Sequence, residues 1–363
     1  VGRRCTQIWE NKLTVFLVDL EAVSTRYTGQ WKTHLPLLLE KEGHNVHIID
    51  GPTDIPNATT PGAFLNFGGT NIYKAAQVEA MGRLFTQGEV KPGDHFIFTD
   101  AWHPGIINLR YMSELLKIPV TTHGLWHAGS YDPEDFLGRL IGDKPWVRHA
   151  EKSFFFAFDH NYFATDFHIK MFAKNLFDAV DNGANPYVTR TGWPMEYMDE
   201  LLTPYKNLKK RNLVLFPHRI AQEKQVEIFR DLASKLPQYE FIVCQDQELT
   251  KHEYHTLLGE AKVVFSANLQ ETLGISCYEG AVVNAIPMVP DRLSYREMYY
   301  DEFRYDSTFT QNYKFYEKSR PYLAKKLMSY MSNYESLLPL LEQQAAKLSK
   351  DFFSAGNLLL NIR

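Results

Sequence analysis

Glu271 and Glu279 bracket the run Thr272-Leu273-Gly274-Ile275-Ser276-Cys277-Tyr278, so seven residues separate the two carboxylates. An apolar run around Phe265 precedes them, and a helix-like stretch ending at Asn284-Ala285-Ile286-Pro287 follows. A strand–loop–helix unit of this composition is suited to holding a nucleotide sugar at three points. Glu271 would take sugar hydroxyls, and Glu279 would take ribose hydroxyls. The backbone of Gly274, Ile275 and Ser276 would take the diphosphate. The first N–H groups of a helix have no intrahelical acceptor, and the helix dipole adds partial positive charge there. Gly274 lets the backbone come close to a ligand. The competing explanation is an ordinary helix with an acidic first turn.

A second group lies in Phe216-Pro217-His218-Arg219-Ile220-Ala221-Gln222-Glu223-Lys224. Arg219 and Lys224 are five residues apart after a strand, where two cations can neutralise a departing diphosphate, and His218 sits beside them. Ligands favour the C-terminal edge of an open parallel sheet. The bland alternative is a solvated pair at a helix start.

Thr121-Thr122-His123-Gly124-Leu125-Trp126-His127 reads as another strand end, from which His123 would contact the transferred sugar. A structural histidine is the alternative for His123, and packing or capping the simpler role for His127. A zinc site built from both with His103 and Asp100 is the minor reading; the expectation is no metal and no cofactor. Thr25-Arg26-Tyr27-Thr28-Gly29-Gln30-Trp31-Lys32 offers Gly29 as a further backbone contact to the donor, with a simple turn as the alternative.

The elements that must position these groups form two α/β series. Leu13–Asp19, a helical stretch to about Lys41, and Gly43–Asp50 make a βαβ unit and thus a parallel sheet. Pro36 marks the first turn of that helix or a kink. The 51–70 segment, rich in Pro, Gly, Asn and Thr, reads as a binding loop. His95–Thr99, Ile118–Thr122, Phe154–Phe158, Tyr162–Thr165 and Thr189–Pro194 read as further strands, the last with a hinge. After a charged linker, Lys206–Arg211, strands are expected at Leu213–Phe216, Glu240–Cys244, Val263–Ser266 and Pro287–Val289. The chain then turns helical after about Tyr313. The expected domains are 1–196, 197–335 and a helical tail 336–363 that crosses back to the first.

The chain has 363 residues, enough for two domains. Hydrophobic residues make up 44% and charged residues 23%, values that exclude a disordered chain. The net charge of −4 gives no global attraction to nucleic acid or anionic membrane, so a nucleic-acid partner needs a local basic face. Lys206, Lys209, Lys210 and Arg211 could supply one, as could Lys170 and Lys174 beside Tyr162, Phe163 and Phe167. Cys5, Cys244 and Cys277 are odd in number and lack metal spacing, which fits a cytoplasmic protein. No run approaches the length of a membrane span, and Val1-Gly2-Arg3-Arg4 lacks a signal-peptide core.

Together these residues resemble the retaining GT-B glycosyltransferases of the large nucleotide-sugar family that carries a Glu-x7-Glu motif. Gly43-His44-Asn45-Val46-His47-Ile48-Ile49 is similar to that family's second strand, and Thr122-His123-Gly124 to its cleft histidine motif. Thr191-Gly192-Trp193-Pro194 is similar to its hinge, and Arg219 with Lys224 to its phosphate pair. Pro217-His218-Arg219, Lys224 and the Glu271–Pro290 segment resemble the branch that mannosylates queuosine in tRNA. The glycine usual after the phosphate-binding lysine is replaced by Gln225, and the paired glycines of the first loop are reduced to Gly29. The Phe-rich first half and the 51–70 loop resemble, in general character, phage enzymes that glycosylate hydroxymethylated DNA bases.

The resemblance implies two facing Rossmann-like domains and metal-independent transfer with retention from a nucleoside-diphosphate sugar. The acceptor is expected to be a modified base in DNA or RNA, or else a small molecule or glycan. The rival of a different class is a two-domain sugar-binding protein without catalysis.

Overall fold

The computed structural model describes residues 13–21, 27–56, 58, 65–178 and 187–363. Cys5, Thr25 and Arg26, and residues 57 and 59–64 of the 51–70 loop, lie outside the described residues. The chain forms two compact units. One comprises residues up to Trp126 together with His149–Tyr162 and Leu359–Arg363; the other comprises His127–Arg148 and Phe163–Leu358.

In the first unit the strands are β1 (Thr14–Val18), β2 (Asn45–Ile49), β3 (His95–Phe98), β4 (Thr121–Leu125) and β5 (His160–Phe163). They lie in the order β2-β1-β3-β4-β5, every pair parallel. All four residues of β3 and Val15–Val18 of β1 are buried, as expected for parallel strands covered by helices. The helix Phe67–Gln87 starts where the Asn66 side chain accepts from the Gly69 N–H, and it stops at Gly88 with φ of 70°. From its buried face Gln77 donates to the carbonyls of Asp19 and Ile49, which fastens the ends of β1 and β2 together.

The second unit holds β6 (Val188–Arg190) and a sheet of β7 (Leu213–Phe216), β8 (Glu240–Val243), β9 (Val263–Phe265), β10 (Ile286–Pro290) and β11 (Arg304–Tyr305). The order is β11-β10-β9-β7-β8, again parallel. Every residue of β7, β9 and β10 is buried. Two long helices, Tyr313–Ser332 and Tyr334–Asp351, follow. They brace the helix Ile275–Val282: the Tyr278 ring stacks on Phe353 at 3.8 Å, its hydroxyl lies 3.0 Å from Ser349 Oγ, and Tyr334 donates to the Asn284 carbonyl. Gly192 permits a close chain crossing, since a Cβ there would come within 2.5 Å of the Ser354 carbonyl oxygen.

Several expected elements shift. Phe154–Phe158 is not a strand; it belongs almost entirely to the helix Pro145–Ala157. Phe154, Phe155 and Phe158 are buried while Phe156 is exposed, the spacing of one helical face rather than of alternation. The strand expected at Ile118–Thr122 begins only at Thr121, after Lys117 ends the preceding helix with φ of 56° and Pro119 removes a donor. Pro36 lies in the interior of the helix Tyr27–Lys41, not in its first turn. Gly29 sits in that helix's first turn rather than in a loop.

Candidate functional site

Strands β7 and β9 are neighbours, with Val214 opposite Val263 and Leu215 opposite Val264. Their C-terminal loops therefore meet, and this juxtaposition brings His218, Lys224, Glu271 and Ser276 together. Lys224 closes a short 3-10 turn, Gln222–Lys224. Its ammonium lies 3.1 Å from Glu271 Oε2 and 2.6 Å from the Gln270 carbonyl oxygen, on a side chain only 7% exposed. Asn268 Nδ2 donates to the same carboxylate oxygen at 3.0 Å, and the Thr272 and Gly274 N–H groups donate to Glu271 as well. Burial pushes the Glu271 carboxyl up. The Lys224 charge, His218 and these hydrogen bonds outweigh it, and the group is held below the usual carboxylate range.

Gly274 precedes the helix Ile275–Val282 with φ of 66°, and no side chain caps that end. A Cβ on Gly274 would fall 2.8 Å from the buried Tyr295 ring, so both backbone angle and space demand glycine. The Ile275 and Ser276 N–H groups open the helix and lack a carbonyl one turn back. His218 is buried, and burial and the Lys224 charge push its imidazole down to about 4. Its Nε2 lies 3.2 Å from the Phe265 carbonyl oxygen, which requires the proton on Nε2. Nδ1 is then the acceptor facing Ser276 Oγ at 3.4 Å.

Glu279, one turn into the helix, is buried and accepts the Tyr254 hydroxyl at 2.7 Å. Burial raises its carboxyl, with Tyr254 and Lys251 opposing. Arg219 pairs with Glu223, and Glu223 also lies 3.2 Å from Arg139. Gln225 occupies the position where the resemblance expects glycine, and its φ of 54° explains that expectation. Its amide donates to the carbonyls of Ala267 and Thr310, at 2.6 and 2.7 Å, which holds the left-handed conformation in place. Arg292 donates to the same two carbonyls and to that of Asn268, so the loop after β9 is anchored from two sides.

The first unit places other expected residues differently. His123 lies in the middle of β4, fully buried, with both ring nitrogens engaged. Asn361 donates to the Tyr162 hydroxyl, which leaves that proton for His123 Nδ1 at 2.9 Å; His123 Nε2–H then points at His95 Nδ1, also 2.9 Å away. Burial first, then the neighbouring histidines, push the His123 imidazole well down. This is a packed, neutral core histidine. His103 is likewise occupied, by Gln77 and the Gly105 N–H, and Asp100 lies 3.3 Å from Lys74. Among the described residues no three His, Cys, Asp or Glu side chains are grouped to hold a metal.

Two of the cations of the expected basic face are engaged elsewhere. Lys210 turns inward and donates to the Ala261 and Val283 carbonyls at 2.9 and 2.7 Å, and burial brings its amine down to about 7. Arg211 pairs with Glu240 and Glu260. Tyr162 and Phe163, expected to flank Lys170 and Lys174, are core side chains. Sequence reasoning missed Tyr254, Glu223, Arg139, Asn268 and Arg292. Only Glu223, inside the quoted Arg219–Lys224 motif, carried a local signal.

No protein-family model matches the chain, and no curated protein sequence matches it significantly. Among solved structures it is similar to sucrose-phosphate synthase from Thermosynechococcus elongatus, at 10% identity and a TM-score of 0.62 over 97% of each chain. It is also similar to the catalytic domain of starch synthase IV from Arabidopsis thaliana bound to ADP and acarbose, at 11% identity and a TM-score of 0.56, covering 96% of this chain and 97% of that one. WaaG, a glycosyltransferase involved in lipopolysaccharide biosynthesis, matches at 14% identity and a TM-score of 0.55 over 96% and 99%. The chain has the GT-B fold, two parallel-sheet Rossmann-like domains. No helix among the described residues is long and apolar enough to cross a membrane.

Proposed function

We propose that this chain is a glycosyltransferase that moves a sugar from a nucleoside-diphosphate sugar to an acceptor hydroxyl with retention of configuration. The observation that carries the reading is the apposition of Lys224 with Glu271 beside the uncapped start of the helix Ile275–Val282. A carboxylate held ionised in a partly buried pocket accepts from sugar hydroxyls, while cations and helix N–H groups donate to phosphate oxygens. A solved structure of the same fold holds ADP.

In the proposed reaction the bond from the anomeric carbon to the phosphate oxygen breaks, and its electron pair stays on the nucleoside diphosphate. The acceptor oxygen bonds the same carbon from the same face, and its proton passes to the departing phosphate oxygen. Lys224 and Arg219 supply the countercharge without a metal. Glu271 orients sugar hydroxyls, Glu279 takes the ribose, and the backbone of Gly274, Ile275 and Ser276 takes the diphosphate. His218, neutral and bonded through Nε2–H, positions Ser276. His123, closed within the first unit's core, is left without a substrate role in this reading.

For the acceptor, the inward use of Lys210 and the pairing of Arg211 favour a small molecule or glycan over a base in DNA or RNA. Incubation with labelled nucleotide sugars tests the reaction: slow release of nucleoside diphosphate supports it. Tight binding of a free sugar with no turnover would instead identify a binding protein. A steep loss of acceptor binding with added salt would restore the nucleic-acid acceptor, which mass spectrometry of treated nucleosides would then identify.

A further inference from the structure

Arg139 belongs to none of the motifs, yet it reaches the same group of charges. It lies on the helix Phe136–Ile141, which Asp135 caps by accepting from the Leu137 N–H at 3.0 Å. The segment His127–Arg148 that carries it is part of the unit containing β7–β11. Three bonds tie this segment to the loops of the candidate site. Thr272 Oγ1 donates to the His127 carbonyl at 3.2 Å, Gln270 bonds Asp132, and Arg139 Nη1 lies 3.2 Å from Glu223 Oε2.

Glu223 thereby holds two guanidiniums, Arg139 on one oxygen and Arg219 on the other. The carboxylate is only 5% exposed, whereas the two arginine side chains are 36% and 43% exposed. The next residue, Lys224, is paired with Glu271. Three cations therefore face the two carboxylates Glu223 and Glu271, with the Asp135 carboxyl also within electrostatic reach of Arg139. A single carboxylate needs only one guanidinium for neutrality. A second, half-open one keeps donors available for an incoming anion, and a planar fork matches phosphate oxygens.

We propose that Arg139 is a third cation of the diphosphate site, donating to a phosphate oxygen of the bound nucleoside diphosphate and held in position by Glu223. The inference rests on the nucleotide-sugar reading. It adds a contact from a helix far from Arg219 and Lys224 in sequence, so donor binding would engage the His127–Arg148 segment together with the loops after β7 and β9.

The test is calorimetric binding of ADP, GDP and UDP, and of inorganic pyrophosphate, to the full chain as wild type, Arg139→Ala, Arg139→Lys and Arg219→Ala. Unfolding midpoints without ligand are measured alongside. Arg139→Ala is expected to weaken nucleoside-diphosphate binding by about tenfold, the loss of one charge-assisted hydrogen bond, with a shallower salt dependence. Arg139→Lys should recover part of that loss because it keeps the charge without the fork. Undiminished binding by Arg139→Ala, with Arg219→Ala weakened, overturns the inference and leaves the proposed function standing. Weaker binding that tracks a lowered unfolding midpoint and is not recovered by lysine also overturns it, assigning Arg139 a structural role. A wild type that binds none of the three nucleotides overturns both.

Discussion

Tyr254 donates its hydroxyl to Glu279, with 2.7 Å between Oη and Oε2. The bond joins two helices of the second unit, Lys251–Glu260 and Ile275–Val282, and it satisfies one oxygen of a buried carboxylate. Glu279 is thus pre-set before any ligand arrives, with its other oxygen left for a hydroxyl donor.

Tyr254→Phe removes that donor without changing the ring. The variant should lose about 1–3 kcal/mol of stability, the cost of leaving a buried acceptor unsatisfied, and it should bind the nucleoside part of the donor more weakly. Denaturant unfolding and nucleoside-diphosphate titration read the two effects. Wild-type values in both would remove Glu279 from the site.

Glu271 and Glu279 should separate kinetically. Glu271→Ala is expected to abolish transfer with a smaller loss of nucleotide affinity, and Glu279→Ala to weaken donor binding first. Full activity in both would refute the assignment.

The Glu271 carboxyl also makes a pH prediction. Its folded value is held below the usual 4.5 of a free glutamate, so it contributes stability above that pH and loses it as pH falls through the folded value. Unfolding free energies of wild type and Glu271→Gln, compared from pH 6 down through this window, should converge in acid. Parallel curves would contradict the Lys224 pairing.

Gln225 sits at φ of 54° with two carbonyls on its amide. Gln225→Ala keeps the unfavourable backbone, which costs on the order of 1–2 kcal/mol for a residue with a Cβ, and it loses both bonds. Gln225→Gly loses the bonds but relieves the backbone. The glycine variant should therefore be the more stable of the two by about 1 kcal/mol, measured as a shift in urea midpoint; the reverse order would deny the left-handed conformation.

Buried histidines set a second pH dependence. Burial holds His218 at about 4 and His168 at about 3, against 6.5 for the free side chain. Below pH 6.5 the unfolded chain takes protons that the folded chain refuses, so stability falls from there toward the folded values. Each such group can contribute roughly 3 kcal/mol over that span. His168→Gln should flatten the curve between pH 6.5 and 4, and an unchanged slope would show that His168 does not carry it.

What the sequence made legible follows from locality. Arg219, Lys224 and Glu271 could be grouped as candidates from the sequence because they follow apolar strand runs, and adjacent parallel strands deliver their C-terminal loops to one edge. The glycine departure at Gln225 was visible too, but its anchoring by Ala267 and Thr310 was not. Tyr254 and Arg139 escaped notice because their partners lie 25 and 84 residues away and are chosen by packing. For His123 the choice between a sugar contact and a structural histidine turned on strand register. A strand read as Ile118–Thr122 leaves it at an open end, whereas the real strand, Thr121–Leu125, encloses it. Three residues of register separate a cleft histidine from a core one.

The first unit is assembled from three separate stretches, the last of them Leu359–Arg363. Ile362 is buried, and Asn361 supplies the amide that orders the Tyr162–His123–His95 chain. During synthesis the contacts of Ile362 and Asn361 therefore form only after Phe163–Leu358 has been made. The unit encoded mostly later can acquire its sheet first, and the unit encoded first is the last to be completed.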